Sequence, residues 1–162
     1  MSHEEEAWLR REKLDANELR RIVRRTAARA KVRHEFTAHT LQSATTYYAR
    51  FTVPVSESRR VIDTLGHEWN PIQPEEPQID GNDHYVLAVD CVDSYDGMPP
   101  LLRICTNDDD NKEAWTVAQA LMLFMGELLG GVNWEYEPPS MTDDLPPFSA
   151  NIVKRPDGEG RN

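Results

Sequence analysis

The clearest core strand of the sequence is residues 84–92, HYVLAVDCV. In an extended chain alternate residues face opposite sides, and both sides of this stretch are mainly apolar. A turn signal follows at Asp96-Gly97, and an apolar stretch returns over residues 101–105. Residues 84–105 are therefore predicted to form a β-hairpin within the core.

Two helices and two further strands surround this hairpin in the sequence pattern. Residues 45–55 alternate with period two and are rich in strong strand formers. One helix is predicted to begin at Ser56 and end at Gly66, and another follows three aspartates and ends at the glycine pair 130–131. Residues 132–136 are predicted as a short last strand. The order β-α-β-β-α-β predicts an α+β, ferredoxin-like (split βαβ) fold, which is an antiparallel sheet with both helices on one face.

The N-terminal region contains two helix-start patterns. Capping-box spacing predicts one helix over residues 2–11 and a second helix from Asp15 to about His34. The second helix has a narrow apolar stripe, partly alanine, which can dock shallowly on a surface. The three predicted regions are a basic helical arm over residues 1–34, an α+β core domain over residues 35–137, and a Pro-rich linker with a disordered tail over residues 138–162.

Charge is divided unevenly along the chain. The net charge is −10, from 18 Lys/Arg and 28 Asp/Glu residues. Residues 1–33 hold ten Lys/Arg and six Asp/Glu, whereas residues 34–162 hold eight and twenty-two. The arm is therefore expected to be basic and the remaining body acidic, and an acidic body would repel nucleic-acid phosphates.

Composition and cysteine use favour a reducing compartment. A chain of 162 residues can bury a core without disulfides. The longest apolar run, residues 118–125, is too short to span a bilayer, and the acidic start MSHEEE does not resemble a secretory signal. Cys91 and Cys105 are expected to be reduced thiols, although a bridge across the hairpin stays open. Cytoplasmic localisation without membrane contact is predicted.

The sequence contains no recognisable motif for catalysis, cofactor binding or metal binding. His34 and His39 are five residues apart, whereas two zinc ligands on one helical face need a spacing of four. The acids at 90–96 and 108–110 do not match the spacing of a calcium loop. Glycine-rich phosphate loops and a nucleophile elbow are also missing from the sequence. We therefore expect a non-enzymatic protein with no cofactor and no metal.

The arginine-rich helix carries the strongest functional signal. Its cations could neutralise the acids of the same chain, bind a protein partner or a second copy, or bind nucleic acid through residues 20–33. Trp8 could anchor a partner or pack on its own domain. The candidate partner-binding residues are Trp8, Arg20, Arg21, Arg24, Arg25, Arg29 and Lys31.

These features predict a protein–protein interaction or assembly component with an acidic body and a basic amphipathic helix. One alternative is a small acidic inhibitor that mimics nucleic acid in a basic cleft of its target. Another is a nucleic-acid-binding accessory protein that uses the arginine-rich helix. The protein is expected to act by binding a protein partner or a second copy of itself, and binding a second copy would make it an oligomer.

Overall fold

The computed structural model describes residues 6–42, 44–67, 84–107 and 111–138, which form one antiparallel sheet and three α-helices. The strands are β1 (Glu6–Trp8), β2 (Arg33–Leu41), β3 (Ala44–Pro54), β4 (His84–Val92) and β5 (Leu101–Thr106). The helices are α1 (Ala16–Ala30), α2 (Ser58–Thr64) and α3 (Lys112–Leu128), and a short 3-10 turn, Val55–Glu57, precedes α2. The predicted α+β class with an antiparallel sheet is confirmed.

The strand order differs from the predicted topology. The order is β1-β5-β4-β3-β2, so that β2 to β5 form a meander and β1 joins the far edge beside β5. In a split βαβ unit the strands now called β3 and β4 would be parallel and separated by another strand, but here they are antiparallel neighbours. The predicted last strand contributes a single bridge, from Val132 to Leu9.

The three helices pack on the same face of the sheet. On each central strand every second side chain points into one continuous apolar cluster, which the helices complete. Fully buried members of this cluster are Phe51 and Val53 from β3, Leu87 and Val89 from β4, Leu102 and Ile104 from β5, and Leu121 and Met125 from α3. The opposite sheet face carries most of the polar residues of the strands.

The helix predicted from Asp15 begins where expected but belongs to the core. The Asp15 side chain accepts a hydrogen bond from the Glu18 amide, as an N-cap should. The helix ends at Ala30, where Lys31 takes a left-handed conformation with φ of 58°. Its apolar stripe is buried in the main cluster with residues of the sheet and of α3. The structure therefore packs the predicted basic arm into the body, because the stripe meets an apolar sheet face that it can cover.

Two strands of the structure were not predicted from the sequence. Residues Glu6–Trp8 form β1, which pairs with β5, in place of the helix predicted over residues 2–11. The start of that predicted helix lies outside the described residues. Residues Arg33–Leu41 form β2, which pairs with β3 along its whole length, in place of a helix end and loop. At β1 pairing with β5 decides the conformation over a local capping pattern, and at β2 pairing with β3 extends the chain beyond the end of α1.

The β1 edge of the sheet is closed by the segment that follows α3. The Leu9 amide donates to the Pro100 carbonyl at 2.9 Å, and the Asn133 amide donates to the Trp8 carbonyl at 2.7 Å. Gly126 on α3 allows this close approach, since a Cβ there would lie 2.9 Å from a methyl carbon of Val132. The backbone of β1 therefore has partners on both sides.

No helix in the described ranges is both long and apolar enough to cross a membrane. The predicted linker and tail begin at residue 138, and residues 139–162 lie outside the described residues.

Candidate interaction surfaces

The outer face of α1 carries five exposed arginines. The buried stripe faces the sheet, so helical geometry turns the remaining positions to solvent. Arg20 and Arg24 form one row with i,i+4 spacing, and the other three form a second row with the same spacing. The exposed arginines are Arg20, Arg21, Arg24, Arg25 and Arg29, and Lys31 is exposed at the C-cap. We call this set the arginine face.

The arginine face is not neutralised within the described part of the chain. Ion pairs there join Arg11 to Glu18 at 2.6 Å, Arg60 to Glu57, and Arg103 to Glu6 at 2.6 Å, and none of them uses a cation of this face. The Arg20 guanidinium lies over the Phe36 ring, with its carbon 5.0 Å from the ring centroid. The structure therefore brings six of the seven predicted partner-binding residues onto one helix with their charges unpaired by described carboxylates.

Trp8 lies apart from the arginine face. Its side chain is on the sheet face opposite the helices, since it pairs with Leu101 while its neighbour Ala7 faces the core. It packs against Leu101 and Val92, and its ring centroid is 4.9 Å from that of Tyr136. The half-buried indole packs on its own domain, which is the second of the two interpretations that the sequence left open.

The acidic charge is not spread over the described body. The described residues hold fifteen Lys/Arg and fourteen Asp/Glu, so they are nearly neutral as a set. Residues 1–5, 68–83, 108–110 and 139–162 hold the remaining three Lys/Arg and fourteen Asp/Glu. The expected division into a basic arm and an acidic body is therefore replaced by another: the described residues are nearly neutral as a set, and the excess of acids lies in the other four stretches of the sequence.

The outer edge of β2 is a surface that the sequence analysis missed. This strand has nine residues, of which eight are exposed, and it pairs with β3 from Arg33↔Thr52 to Leu41↔Ala44 without a break. No described strand pairs with its other side. One feature of the sequence could have indicated β2: residues 33–41 alternate weakly with period two, and two residues separate them from the strand at residues 44–54. The weak apolar content of the stretch hid that signal.

The two cysteines face opposite sides of the sheet and cannot form a disulfide with each other as placed. Cys91 pairs in register with Leu102 and faces the core, whereas Cys105 pairs with Ala88 and faces the other side of the sheet. Burial raises the pKa of the Cys91 thiol far above its ordinary value, and the neighbouring Asp90 raises it further. A thiol held protonated in this way is a poor nucleophile.

The described residues offer little that resembles a reaction centre. A groove of about 360 Å³ lies between Arg11 and Glu12 on one side and residues 94–99 on the other. The Arg11 guanidinium in it is already bonded to Glu18 and to the Leu129 carbonyl, so its role is structural. Within the described ranges no three His, Cys, Asp or Glu side chains are grouped so as to hold a metal ion.

No family model, curated protein or solved structure matches this chain. The geometry and charge of its surfaces are therefore the basis for inferring its partners.

Proposed function

We propose that the protein is a non-enzymatic interaction or assembly component that binds an acidic protein surface through the arginine face of α1. The observation that carries this proposal is the set of exposed arginines without described ion-pair partners, on a helix fixed by a buried stripe. Arginine is the cation best suited to hold carboxylates, because its planar guanidinium donates two parallel hydrogen bonds.

The rigidity of α1 supports binding by this face. Both ends of the helix are capped, by the Asp15 side chain and by the left-handed Lys31, and the stripe between them packs on the sheet and α3. Arginines on a fixed backbone keep a constant spacing of about one helical turn. A partner with carboxylates at matching spacing can therefore engage several of them at once, and such pairs chiefly set specificity and association rate.

The charge distribution favours a protein partner over a long polyanion. Residues 68–83 hold five acids and no Lys/Arg, and they lead directly into His84 at the start of β4. His84 pairs with Pro54, at the same end of the sheet as Arg33, which follows α1. Negative charge on the chain, which totals −10, would repel an extended phosphate backbone more strongly than a short cluster of carboxylates on a protein.

Nothing in the described charges favours the inhibitor alternative. A nucleic-acid mimic needs carboxylates fixed at phosphate-like spacing on a folded surface, and the described residues hold equal numbers of acids and bases to within one. Nucleic-acid binding, in contrast, would use the arginine face itself and is one outcome of the test below.

The test places a photo-crosslinking amino acid at Ala28, an exposed position within the arginine face, in the full chain inside cells. The variant Arg21→Ala/Arg24→Ala/Arg25→Ala should lose the protein adduct, with binding weakened about ten- to hundredfold. The matched control Lys13→Ala/Arg50→Ala/Lys112→Ala removes three exposed cations elsewhere and should retain the adduct.

Three results decide between the possibilities. A protein adduct that depends on the arginines and weakens with salt supports the proposal. A nuclease-sensitive adduct overturns it in favour of nucleic-acid binding. Equal adducts in both triple variants, or none in either, also overturn it, because the arginine face then contacts no partner.

A further inference from the structure

The exposed edge of β2 presents an ordered row of backbone hydrogen-bonding groups. The Asp93 amide donates to the Thr45 carbonyl, which shows that odd-numbered residues of β3 bond towards β4. Even-numbered residues of β3 therefore bond towards β2, and their register partners there are the odd-numbered residues. The amides and carbonyls of the even residues point outward. These residues are His34, Phe36, Ala38 and Thr40.

This edge lacks the features that normally block strand addition. It contains no proline, and its unbroken register with β3 leaves no bulge. Its charged residues are grouped at one end, at Arg33 and Glu35, while residues 36–41 carry no charge other than that of His39 when protonated. Leu41 at the far end is 42% exposed. A long, regular, weakly charged edge of this kind is a template for another strand.

We propose that the β2 strand of a second copy pairs with this edge, antiparallel, about a two-fold axis at Thr37. The paired strands then join two five-stranded sheets into one of ten strands. The four outward residues of each copy bond to those of the other, which satisfies the open row of amides and carbonyls. This inference rests on the β2 edge and not on the arginine face, so it stands independently of the proposed function.

The side chains select this register among the symmetric ones. With the axis at Thr37 all nine residues of β2 find partners, and Glu35 faces His39 of the second copy, an oppositely charged pair when His39 is protonated. Thr37 faces Thr37, and Phe36 faces Ala38, on an apolar patch that continues the stacked rings of Phe36 and Tyr47.

Other symmetric registers are worse. An axis at residue 35 would set two glutamates against each other, which is destabilising. An axis at residue 36 would set Arg33 against His39 and leave two residues of each strand unpaired. A parallel arrangement would place the charged end of one strand beside the same end of the other. Charge and length therefore favour a second copy in the Thr37 register over an unrelated strand.

The first experiment fixes the register with a cysteine. On the outer edge Thr37 would form a non-hydrogen-bonded pair with Thr37, whose Cα atoms are about 4.5 Å apart, within disulfide range. Thr37→Cys should therefore oxidise to a covalent dimer. The matched control Glu35→Cys should not, because the two residues 35 would be offset by four positions, or about 13 Å. Equal dimer yield from the two variants overturns the register.

The second experiment breaks the pairing. Ala38 is exposed and its amide points outward, so Ala38→Pro removes an edge donor without removing a bond to β3. The unaltered chain should sediment in the micromolar range at about twice its mass of 18.6 kDa. Ala38→Pro should sediment as a monomer with an unchanged near-ultraviolet circular dichroism spectrum, and Ala38→Val, which keeps the amide, should remain a dimer.

Two readouts keep this inference separate from the proposed function. Backbone pairing is insensitive to ionic strength, so the dimer should persist in high salt, whereas contacts of the arginine face should weaken. The triple arginine variant should remain dimeric, and Ala38→Pro should retain the Ala28 adduct. A monomeric mass for the unaltered chain throughout the micromolar range overturns the inference and leaves the arginine face unaffected.

Discussion

At one edge of the sheet β1 is three residues long and is covered by the segment around Val132, whereas at the other edge β2 is nine residues long and has no described neighbour. The covered edge is held by main-chain bonds from Leu9 and Asn133 and by apolar packing on α3. The open edge is held by β3 and by the contact of Arg20 with Phe36.

This difference separates an edge that maintains the fold from an edge whose outer side is paired with none of the described strands. A short strand with partners on both sides has no row of groups to offer another chain. A long strand paired on one side offers such a row over its whole length. Substitutions at the covered edge should therefore change stability, and those at the open edge should change association.

The largest effect is expected for Leu9→Ala. Leu9 is 1% exposed and packs in the main core cluster, so its truncation should lower the free energy of unfolding by about 2–5 kcal/mol. Leu41→Ala, at the exposed end of the open edge, should change it by less than about 0.5 kcal/mol. Urea denaturation measures both, and similar losses in the two variants would contradict the distinction between the edges.

A smaller effect is expected for the ion pair between β1 and β5. The Arg103 and Glu6 side chains are 11% and 22% exposed, so Glu6→Gln leaves a largely buried guanidinium short of its carboxylate. The substitution should lower the free energy of unfolding by about 1–3 kcal/mol. Glu57→Gln breaks the more exposed pair with Arg60 within one turn and should cost less than about 0.5 kcal/mol. Urea denaturation measures the free energy of unfolding of both variants. Equal losses would show that the Glu6–Arg103 pair stabilises the protein no more than an exposed ion pair does.

The smallest effect concerns β4, which lies midway between the two edges. Burial keeps the Cys91 thiol protonated in the folded state, whereas in the unfolded chain it ionises near its ordinary pKa of about 9. The free energy of unfolding is therefore unaffected by this thiol below that pH. Above it, only the unfolded chain releases the proton, so the free energy of unfolding falls by about 1.4 kcal/mol per pH unit.

Urea unfolding from neutral pH to about pH 10 should show this loss, and Cys91→Val should abolish it. Staying at or below pH 10 limits the contribution of Tyr47 and Tyr48, whose pKa values are also raised by burial. Cys105→Val is the control, because its side chain is on the other sheet face and is partly exposed. If the free energy of unfolding of Cys91→Val still falls with rising pH, a group other than Cys91 titrates.

The central elements could be predicted from the sequence because their local patterns agree with their surroundings. The strands at residues 44–54 and 84–92 are apolar with period two, and the Asp15 cap and the glycines after α3 mark helix ends. The exposed arginines also followed from the helical period, once the apolar stripe of α1 was identified. In these elements burial and propensity favour the same conformation.

The two edge strands could not be predicted for opposite reasons. β2 is exposed on both faces except at Phe36, so its apolar alternation is weak, and its pairing with β3 is what reveals it. β1 is short, and a capping-box pattern competes with it locally. β1 pairs with β5, about a hundred residues away, and a local sequence pattern cannot predict so distant a pairing. The surface that we propose for contact at the β2 edge could therefore not be predicted either.

The covered edge also constrains how the chain can fold during synthesis. Among the described strands β1 is synthesised first, but it cannot pair until β5 has emerged, and its bridge to Val132 forms only after that residue follows. Pairings this distant along the chain close late, after local hairpins. The described sheet is therefore incomplete until the residues around Val132 have been synthesised, and these are among the last of the described residues to be made.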